Sequence, residues 1–224
     1  MGTGIEGRTV LLAGGTSAAG RSVARALRAA GATPVVVGSD AGRLASVADE
    51  IDGVVTAQCD LTDPDAVDAL RDRLHAAHGG VDGVLHLVGG WRGGGGLAGQ
   101  SDDDFAFLLQ SFTALRNVTR TFDADLRASD AGRLAIVSST VVARPLVGGA
   151  NYAAVKAASE AWTRAVAQGF AKAARDAGRE QSVAAVVFRV KSLAGLEDAL
   201  ALAFLGLWDD PAADINDVTI ELGA

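Results

Sequence analysis

Short runs of β-branched and other apolar residues alternate with longer, helix-favouring stretches along the whole chain. The predicted strands are Thr9 to Ala13, Pro34 to Gly38, Val54 to Gln58, Val84 to Val88, Leu134 to Ser138, Val183 to Phe188 and Val218 to Glu221. The helices expected between them are Ala18 to Ala30, Gly42 to Ile51, Asp63 to His78, Asp102 to Ser129, Asn151 to Ala177 and Gly195 to Trp208. Such alternation is typical of a parallel sheet with crossover helices. The pattern predicts an α/β fold with a doubly wound, seven-stranded parallel sheet.

Composition narrows the class of protein. No linker, repeat or change in composition divides the 224 residues, so residues 1–224 are expected to form one domain. Apolar residues make up 49% of the chain and aromatic residues 5%, which favours a core of Ala, Val and Leu. A single cysteine, Cys59, excludes an internal disulfide, and the chain opens without a signal-like segment, so a cytoplasmic protein is expected.

The charge and hydropathy of the chain argue against two kinds of partner. The formal net charge is −7, which disfavours binding to nucleic acid. No apolar stretch reaches the length of about 18 residues that a membrane span requires. No metal site is predicted either, because His75 and His78 lie three residues apart on a predicted helix but lack a third ligand nearby.

The segment from Ser139 to Lys156 carries the clearest chemistry. Tyr152 and Lys156 lie four residues apart in an Ala-rich segment, so both side chains project from one face of a helix. A neighbouring ammonium favours the phenolate, so we expect Lys156 to lower the pKa of Tyr152 towards a value useful for acid/base catalysis. Ser139, at the end of the preceding strand, could hydrogen-bond the same substrate oxygen. The three side chains suit proton transfer to or from a carbonyl or an alcohol.

A glycine-containing turn follows the first predicted strand. Residues 14–20 read Gly-Gly-Thr-Ser-Ala-Ala-Gly and run directly into a helix-favouring segment. Gly14 allows a sharp turn, Gly20 allows close packing of helix on strand, and free amides at the start of a helix attract a pyrophosphate. Alone, the turn is equally compatible with an ordinary connection.

Together these motifs resemble the short-chain dehydrogenase/reductase family, in a divergent, single-domain form. The family's pattern Thr-Gly-x-x-x-Gly-x-Gly maps onto residues 13–20, with Ala13 in place of Thr and Ala18 in place of the middle Gly. The family's acidic residue after the third strand, which contacts adenine, matches Asp60. The resemblance extends from about Gly7 to the carboxyl terminus and implies a Rossmann-like fold.

The catalytic residues of the family map onto the same segment that the spacing singles out. The Tyr-x-x-x-Lys pair maps onto Tyr152 and Lys156, and the serine thirteen residues before the tyrosine is Ser139. The resemblance implies that Tyr152 acts as the acid in reduction, that Ser139 polarises the carbonyl, and that Lys156 binds the nicotinamide ribose. Hydride transfer would use NAD or NADP.

The resemblance also implies a set of cofactor-binding residues and an oligomer. The cofactor contacts are expected at Gly14, Thr16, Ser17, Ala18, Ala19, Gly20, Ser39, Asp60, Leu61, Gly89, Lys156 and Val190. Similar proteins form homodimers or homotetramers through the fourth and fifth helices, so a homodimer or homotetramer is expected. The substrate is expected to be a small carbonyl compound or alcohol.

Three departures from the family pattern affect the expected chemistry. The family's asparagine in the fourth helix, which assists proton relay to the lysine, is replaced by Phe112. Either solvent reaches Lys156 by another route or the relay is impaired. His86, in place of the family's first asparagine after the fourth strand, is interpreted as a hydrogen-bonded core residue rather than a replacement base. The family's Pro-Gly-x-x-x-Thr segment is replaced by residues 188–193, where Arg189 or Lys191 could reach a cofactor phosphate.

The substrate-covering lid that the family inserts after residue 193 is expected to be short or missing, which predicts an open site. Cofactor choice is weakly encoded, because Gly38 and Ser39 occupy the positions that usually select NAD or NADP. The small residue and hydroxyl leave room for the extra phosphate, and Arg43 could bind it, so NADP is slightly favoured. Asp40 could instead bind the ribose.

Two functions stay open from the sequence. The first is an NAD(P)-dependent carbonyl reductase or alcohol dehydrogenase, favoured by Ser139, Tyr152 and Lys156. The second is a dinucleotide-binding sensor or scaffold that is weak or inactive as a catalyst, favoured by Phe112, Phe188 and the missing lid.

Overall fold

The computed structural model describes residues 4–223, which form a seven-stranded sheet with the strand order β3-β2-β1-β4-β5-β6-β7. Every pair of neighbouring strands is parallel. The strands are β1 (Thr9–Ala13), β2 (Thr33–Gly38), β3 (Val55–Gln58), β4 (Gly83–His86), β5 (Arg133–Ser139), β6 (Ala184–Val190) and β7 (Thr219–Glu221). The predicted doubly wound, Rossmann-like fold is confirmed.

Seven α-helices lie in the described part of the chain. They are α1 (Ala18–Ala29), α2 (Ala41–Glu50), α3 (Pro64–His78), α4 (Asp102–Ala128), α5 (Ala150–Asp176), α6 (Glu197–Gly206) and α7 (Ala212–Ile215). Six of them match predicted helices, and the short α7 carried no signal long enough to predict. Among residues 4–223, no helix combines the length and apolar character needed to cross a membrane.

Both faces of the sheet are covered by helices, because alternate residues of each strand point to opposite faces. On one face, Leu12 belongs to a buried cluster with Val23 of α1 and Phe204 of α6. On the other face, Leu11 belongs to a cluster with Leu70 of α3 and Phe122 of α4. Each such leucine contributes about 1.5–3 kcal/mol when it leaves water completely.

Polar residues fix where the helices near the cleft begin. The Ser17 hydroxyl accepts a hydrogen bond from the Gly20 amide at 3.2 Å and caps α1. Ser101 caps α4 in the same way through the Asp104 amide, and three aspartates occupy the first turn of α4. Negative charge at a helix amino terminus is favourable, so the sequence itself sets these starting points.

Strand β4 ends two residues earlier than predicted. In the sheet, His86 pairs with Ala13, which is the last residue of β1. Gly14 then turns away with φ 77°, so β4 has no strand partner on that side beyond His86. The segments that follow β1 and β4 therefore both leave the sheet at this point. In open α/β sheets, the strand order reverses between two such strands, and ligands bind there.

Candidate active site and cofactor cleft

A cleft of about 430 Å³ opens at the carboxyl edge of β1 and β4. Its lining includes seven of the predicted cofactor-binding residues: Gly14, Thr16, Ser17, Ser39, Asp60, Leu61 and Gly89. Ala18, Ala19, Gly20 and Val190 do not line it, and neither do Ser139, Tyr152 and Lys156. Predicted cofactor-binding residues from the ends of β1, β2, β3 and β4 therefore line one cleft. The other predicted site residues do not line it.

Two glycines shape the turn after β1. A Cβ atom on Gly14 would lie 2.9 Å from both the side chain and the backbone nitrogen of Val88, and its φ of 77° disfavours other residues. A Cβ atom on Gly20 would lie 2.1 Å from the carbonyl oxygen of Gly15. Neither position accepts a side chain: Gly14 lets the turn after β1 pass close to Val88, and Gly20 lets α1 begin close to Gly15.

The start of α1 fits a phosphate group. The amides of Ala18 and Ala19 have no acceptor within residues 4–223. The next two amides are engaged, since Gly20 donates to the Ser17 side chain and Arg21 donates to the Ser17 carbonyl. Free amides at a helix amino terminus bind anions. The donors and the cleft beside them suit the pyrophosphate of a dinucleotide.

The loop after β3 is held by hydrogen bonds that sequence reasoning missed. Asp60 accepts bonds from the Thr62 amide and hydroxyl at 2.9 and 2.7 Å, and these bonds lower the pKa of its carboxyl. The buried Asn117 of α4 donates to the carbonyl oxygens of Leu61 and Thr62. Asn117 therefore fixes this wall of the cleft, a role that no local motif around it indicated.

At the end of β2, the cleft is bordered by Gly38, Ser39 and Arg43. A Cβ atom on Gly38 would lie 3.1 Å from the Thr16 methyl group, so the wall is tight at this point. Asp40 does not line the cleft. Its carboxylate accepts a hydrogen bond from the Arg43 amide at 2.8 Å through one oxygen, Oδ1, and so caps α2.

Ser139, Tyr152 and Lys156 come from the end of β5 and the first two turns of α5. Ser139 is the last residue of β5, where it pairs with Val190 of β6. The Lys156 ammonium donates to the Val137 carbonyl at 2.8 Å and lies 5.8 Å from the centre of the Tyr152 ring. It also lies 3.7 Å from the position of a Cβ atom on Gly89, so it reaches the border of the cleft.

The ionisation of Tyr152 differs from the sequence expectation. Burial raises the pKa of Tyr152 above its ordinary value, and the Ser139 hydroxyl only partly opposes this shift. The net shift is opposite to the one expected from the Lys156 ammonium, which lies over the Tyr152 ring and bonds to the Val137 carbonyl. Burial also lowers the pKa of Lys156 to about 8, although the charge of Glu160 acts in the opposite direction.

His86 is buried, as the sequence interpretation held. Its Nε2 lies 3.0 Å from the Ser111 carbonyl oxygen of α4, and only 6% of the residue is exposed. Burial, together with the charge of Lys156, lowers the pKa of His86 to about 3. The imidazole is therefore neutral at physiological pH.

Arg189 does not point to the cofactor cleft. Its guanidinium bonds both oxygens of Glu160 at 2.8 and 2.6 Å, and Glu160 also accepts a bond from Ser138 at 2.7 Å. Glu160 is 2% exposed, and these bonds lower the pKa of its carboxyl despite burial. This network ties β5, β6 and α5 together one turn beyond Lys156.

Residues 191–196 alone join β6 to α6. No helix or strand lies within this connection, and Gly195 adopts φ 84° in its turn. The site is therefore bordered mainly by the loops that follow β4 and β5.

Comparison with known proteins identifies the family. Residues 8–174 match the profile of the short chain dehydrogenase family. Nodulation protein G of Rhizobium meliloti is 31% identical over 166 residues, which cover 73% of this chain and 67% of that protein. A short chain dehydrogenase structure from Pseudomonas syringae superimposes with a TM-score of 0.86 at 21% identity, covering 99% of this chain and 97% of the other. A Shigella flexneri structure complexed with NADP gives 0.85 at 20% identity, with 99% of both chains covered.

The chain belongs to the short-chain dehydrogenase family. It is an NAD(P)-dependent oxidoreductase, as the motifs at the β1 turn and in α5 predicted.

Proposed function

We propose that this protein is an NADP-dependent reductase that interconverts a carbonyl and an alcohol, with Tyr152 as the acid. The observation that carries the proposal is that Lys156, whose ammonium lies 5.8 Å from the centre of the Tyr152 ring, reaches the border of the cofactor cleft beside Gly89. A phenol that stays protonated at neutral pH is in the form needed to donate a proton to a reduced carbonyl. The nicotinamide cofactor, held along the cleft, would supply the hydride.

The other residues have separate tasks in this proposal. Ser139 donates a hydrogen bond to the substrate carbonyl, and Lys156 binds the nicotinamide ribose from its position beside Gly89. The free amides of Ala18 and Ala19 bind the pyrophosphate, while Asp60 and Leu61 border the adenine. Placing donor, acceptor and acid together lowers the entropic part of the barrier.

The direct test is oxidation of NADPH in the presence of a panel of ketones, aldehydes and quinones. We expect turnover by the natural chain and its loss in Tyr152→Phe, with the affinity for NADPH changed less than about threefold because the phenol oxygen is not assigned to the cofactor. Full activity in Tyr152→Phe would contradict the assignment. Tight NADPH binding without turnover of any carbonyl would instead favour the sensor or scaffold function.

NADP is proposed over NAD because Ser39 and Arg43 border the cleft and no free carboxylate does so at the end of β2. An arginine pairs favourably with the extra phosphate of NADP. Arg43→Ala should weaken NADPH binding about tenfold, which corresponds to about 1.4 kcal/mol, and leave NADH binding unchanged. Arg71→Ala is the control, because Arg71 does not line the cleft. Equal weakening of both nucleotides by Arg43→Ala would contradict this role.

We further propose that the substrate carries a bulky apolar group. Trp91 and Leu97 in the loop after β4 are 62% and 69% exposed, and Leu146 and Val147 in the loop after β5 are 68% and 61% exposed. The two loops are joined by a hydrogen bond from the Gly94 amide to a carbonyl of the second loop at 2.7 Å. Both loops follow strands at the carboxyl edge of the sheet, and only residues 191–196 join β6 to α6, so we infer that these side chains border an open entrance for the substrate.

The size preference can be measured with matched ketones. A large aryl ketone should show a lower KM than a small aliphatic ketone, and Leu146→Ser should raise the KM of the large ketone only, since a buried leucine contributes about 1.5–3 kcal/mol. Leu202→Ser is the control, because Leu202 is 73% exposed on α6. A lower KM for the small ketone would contradict the proposal.

A homodimer or homotetramer is also proposed. Phe105, Phe107 and Leu109 in the first half of α4 are each 38% to 40% exposed, while Leu108 lies in the core. Light scattering with size-exclusion chromatography would measure the mass directly, and a monomer at micromolar concentration would contradict this proposal.

A further inference from the structure

The side chain of His86 is a buried polar group to which the proposed chemistry assigns no task. Its Nε2 lies 3.0 Å from the Ser111 carbonyl oxygen. Because a carbonyl oxygen only accepts hydrogen bonds, Nε2 must carry the proton, and the neutral ring then presents a lone pair at Nδ1. Nδ1 is buried and has no partner within residues 4–223. A buried acceptor without a partner costs about 1–3 kcal/mol, so its presence calls for a ligand.

Lys156 is a cation on the same face of the sheet as this acceptor. His86 is opposite Ile136 in the sheet, and the next residue, Val137, accepts the hydrogen bond from the Lys156 ammonium. His86 reaches α4 through Ser111 and Lys156 comes from the neighbouring helix α5, so both side chains lie on the same face of the sheet. The charge of Lys156 also contributes to lowering the pKa of His86.

The Lys156 ammonium has N–H donors that are not used by its bond to Val137. It carries three N–H bonds, and the Val137 carbonyl accepts one of them at 2.8 Å. The phenol of Tyr152 and the carboxylate of Glu160 are the titratable groups one turn away on either side along the same helix. Glu160 is bound by Arg189 and Ser138, so within the described chain its oxygens are already engaged.

We propose that His86 is a positioning residue for Lys156, whose ammonium is hydrogen-bonded to the Nδ1 lone pair through one water molecule. The bond holds the ammonium between β4 and α5, at the border of the cleft beside Gly89. On this side of the site Phe112 offers no acceptor, since its ring packs edge-on against Trp162 with the centres 6.1 Å apart. The functional consequence rests on the role proposed above for Lys156, whereas the hydrogen bond itself does not.

Two substitutions of His86 distinguish the roles of its two ring nitrogens. In His86→Asn, the side-chain oxygen can take the place of Nδ1 as acceptor, but the donor to Ser111 is lost. In His86→Gln, the side-chain amide nitrogen can take the place of Nε2 as donor to Ser111, but the acceptor at Nδ1 is lost. If His86 acts only through its bond to Ser111, His86→Gln should disturb the protein less than His86→Asn. If His86 positions Lys156 as proposed, His86→Asn should disturb Lys156 less than His86→Gln.

The measurement is the pKa of Lys156, followed by carbon NMR of protein labelled at the lysine ε-carbon. The chain contains three lysines, Lys156, Lys172 and Lys191, and Lys156→Met identifies the resonance. We expect a midpoint near 8 in the natural chain. His86→Gln should lower it by about one unit, because loss of the acceptor destabilises the charged form, whereas His86→Asn should leave it within a few tenths.

An unchanged midpoint in His86→Gln, or equal shifts in both variants, would overturn the proposal. Nitrogen NMR of the natural chain gives an independent test that needs no variant: a proton on Nδ1 instead of Nε2 would overturn it even if His86→Gln fails to fold. The titration requires no turnover, so a protein that oxidises no NADPH would refute the proposed function and leave this test intact. In an active protein, His86→Gln should move the alkaline limb of the pH profile down by the same unit, with His86→Asn as the control.

Discussion

At the scale of single residues, Tyr152 shows how burial can outweigh a neighbouring charge. The sequence places Lys156 one helical turn away and predicts a lowered pKa. In the structure the pKa is raised, since removal of the phenolate from water is the largest effect. Sequence spacing identified the pair, but only the three-dimensional surroundings set the direction of the shift.

Tyr152 is the one tyrosine in the chain, so its ionisation can be followed by tyrosinate absorbance. In the cofactor-free protein we expect a midpoint above the ordinary value of about 10. Ser139→Ala should raise it further, because the Ser139 hydroxyl favours the phenolate. Tyr152→Phe should abolish the transition and serves as the blank. A midpoint below 10 in the free protein would contradict the burial argument.

The pKa of Lys156 predicts that cofactor binding depends on pH. Its pKa of about 8 lies below the value in the unfolded chain, so the ammonium loses its proton as pH rises through 8. If the charged form binds the ribose, the Kd for NADPH should rise by up to about tenfold per pH unit above 8, until the pKa of the complex is reached. Fluorescence titration from pH 6 to 10 measures this dependence. Lys156→Met should bind more weakly and show a flat profile, and an equally steep profile in that variant would assign the effect to another group.

At the scale of elements, α5 is attached to two strands by one buried carboxylate. Glu160 on α5 bonds Ser138 of β5 and Arg189 of β6, close to both the proposed serine and the proposed lysine. Residues far apart in sequence build this network, so no local motif revealed it. The same reason explains why Arg189 was wrongly considered as a phosphate ligand from its place after the family's sixth strand.

Glu160→Gln should lower the free energy of unfolding by about 3–5 kcal/mol, because it leaves the guanidinium of Arg189 without its carboxylate. It should also lower the pKa of Lys156, which the charge of Glu160 raises. Urea unfolding and the lysine titration measure the two effects. Arg164→Ala is the matched control, because Arg164 lies 3.4 Å from the same carboxylate but is 53% exposed. An ion pair with so exposed an arginine contributes less than about 1 kcal/mol to the free energy of unfolding. Equal losses in both variants would show that the bond to Arg189 is not special.

Element boundaries illustrate a second limit of sequence patterns. Apolar residues continue to Val88, yet β4 ends at His86 because its partner β1 ends at Ala13. Conversely, β5 extends one residue further than predicted, to Ser139, where it pairs with Val190 at the end of β6. The length of a strand depends on its neighbour as much as on its own residues.

At the scale of the whole molecule, His86 makes stability depend on pH. In the unfolded chain a histidine has a pKa of about 6.5, whereas the buried ring has a pKa of about 3, so the unfolded state binds more protons between these values. Stability therefore rises with pH across this window and is lost as pH falls from 6.5 towards 3.

We expect His86 to account for up to about 1.4 kcal/mol of lost stability per pH unit in that window. Urea unfolding of the natural chain and of His86→Asn between pH 4 and 7 isolates this contribution, since other groups affect both proteins alike. The difference in stability between them should change in favour of the variant as pH falls. Parallel pH profiles would show that His86 is not buried as a neutral ring.

The sequence alone predicted the order of strands and helices along the chain, the parallel sheet and a set of candidate site residues. It could do so because hydrophobic periodicity, glycine turns and helix caps are local properties, and because parallel strands bring the residues that follow them to one edge of the sheet. The assigned roles of Ser139, Tyr152 and Lys156 remain predictions from those positions.

The tertiary structure decided the electrostatics and the connections around these residues. It showed that Asp40 caps a helix, that Asn117 holds the wall behind Asp60, and that Glu160 binds Arg189. It also buried His86 with an acceptor, Nδ1, that has no partner within residues 4–223. Desolvation and hydrogen bonding depend on what surrounds a side chain in space, and residues as distant as positions 160 and 189 meet only after the chain has folded.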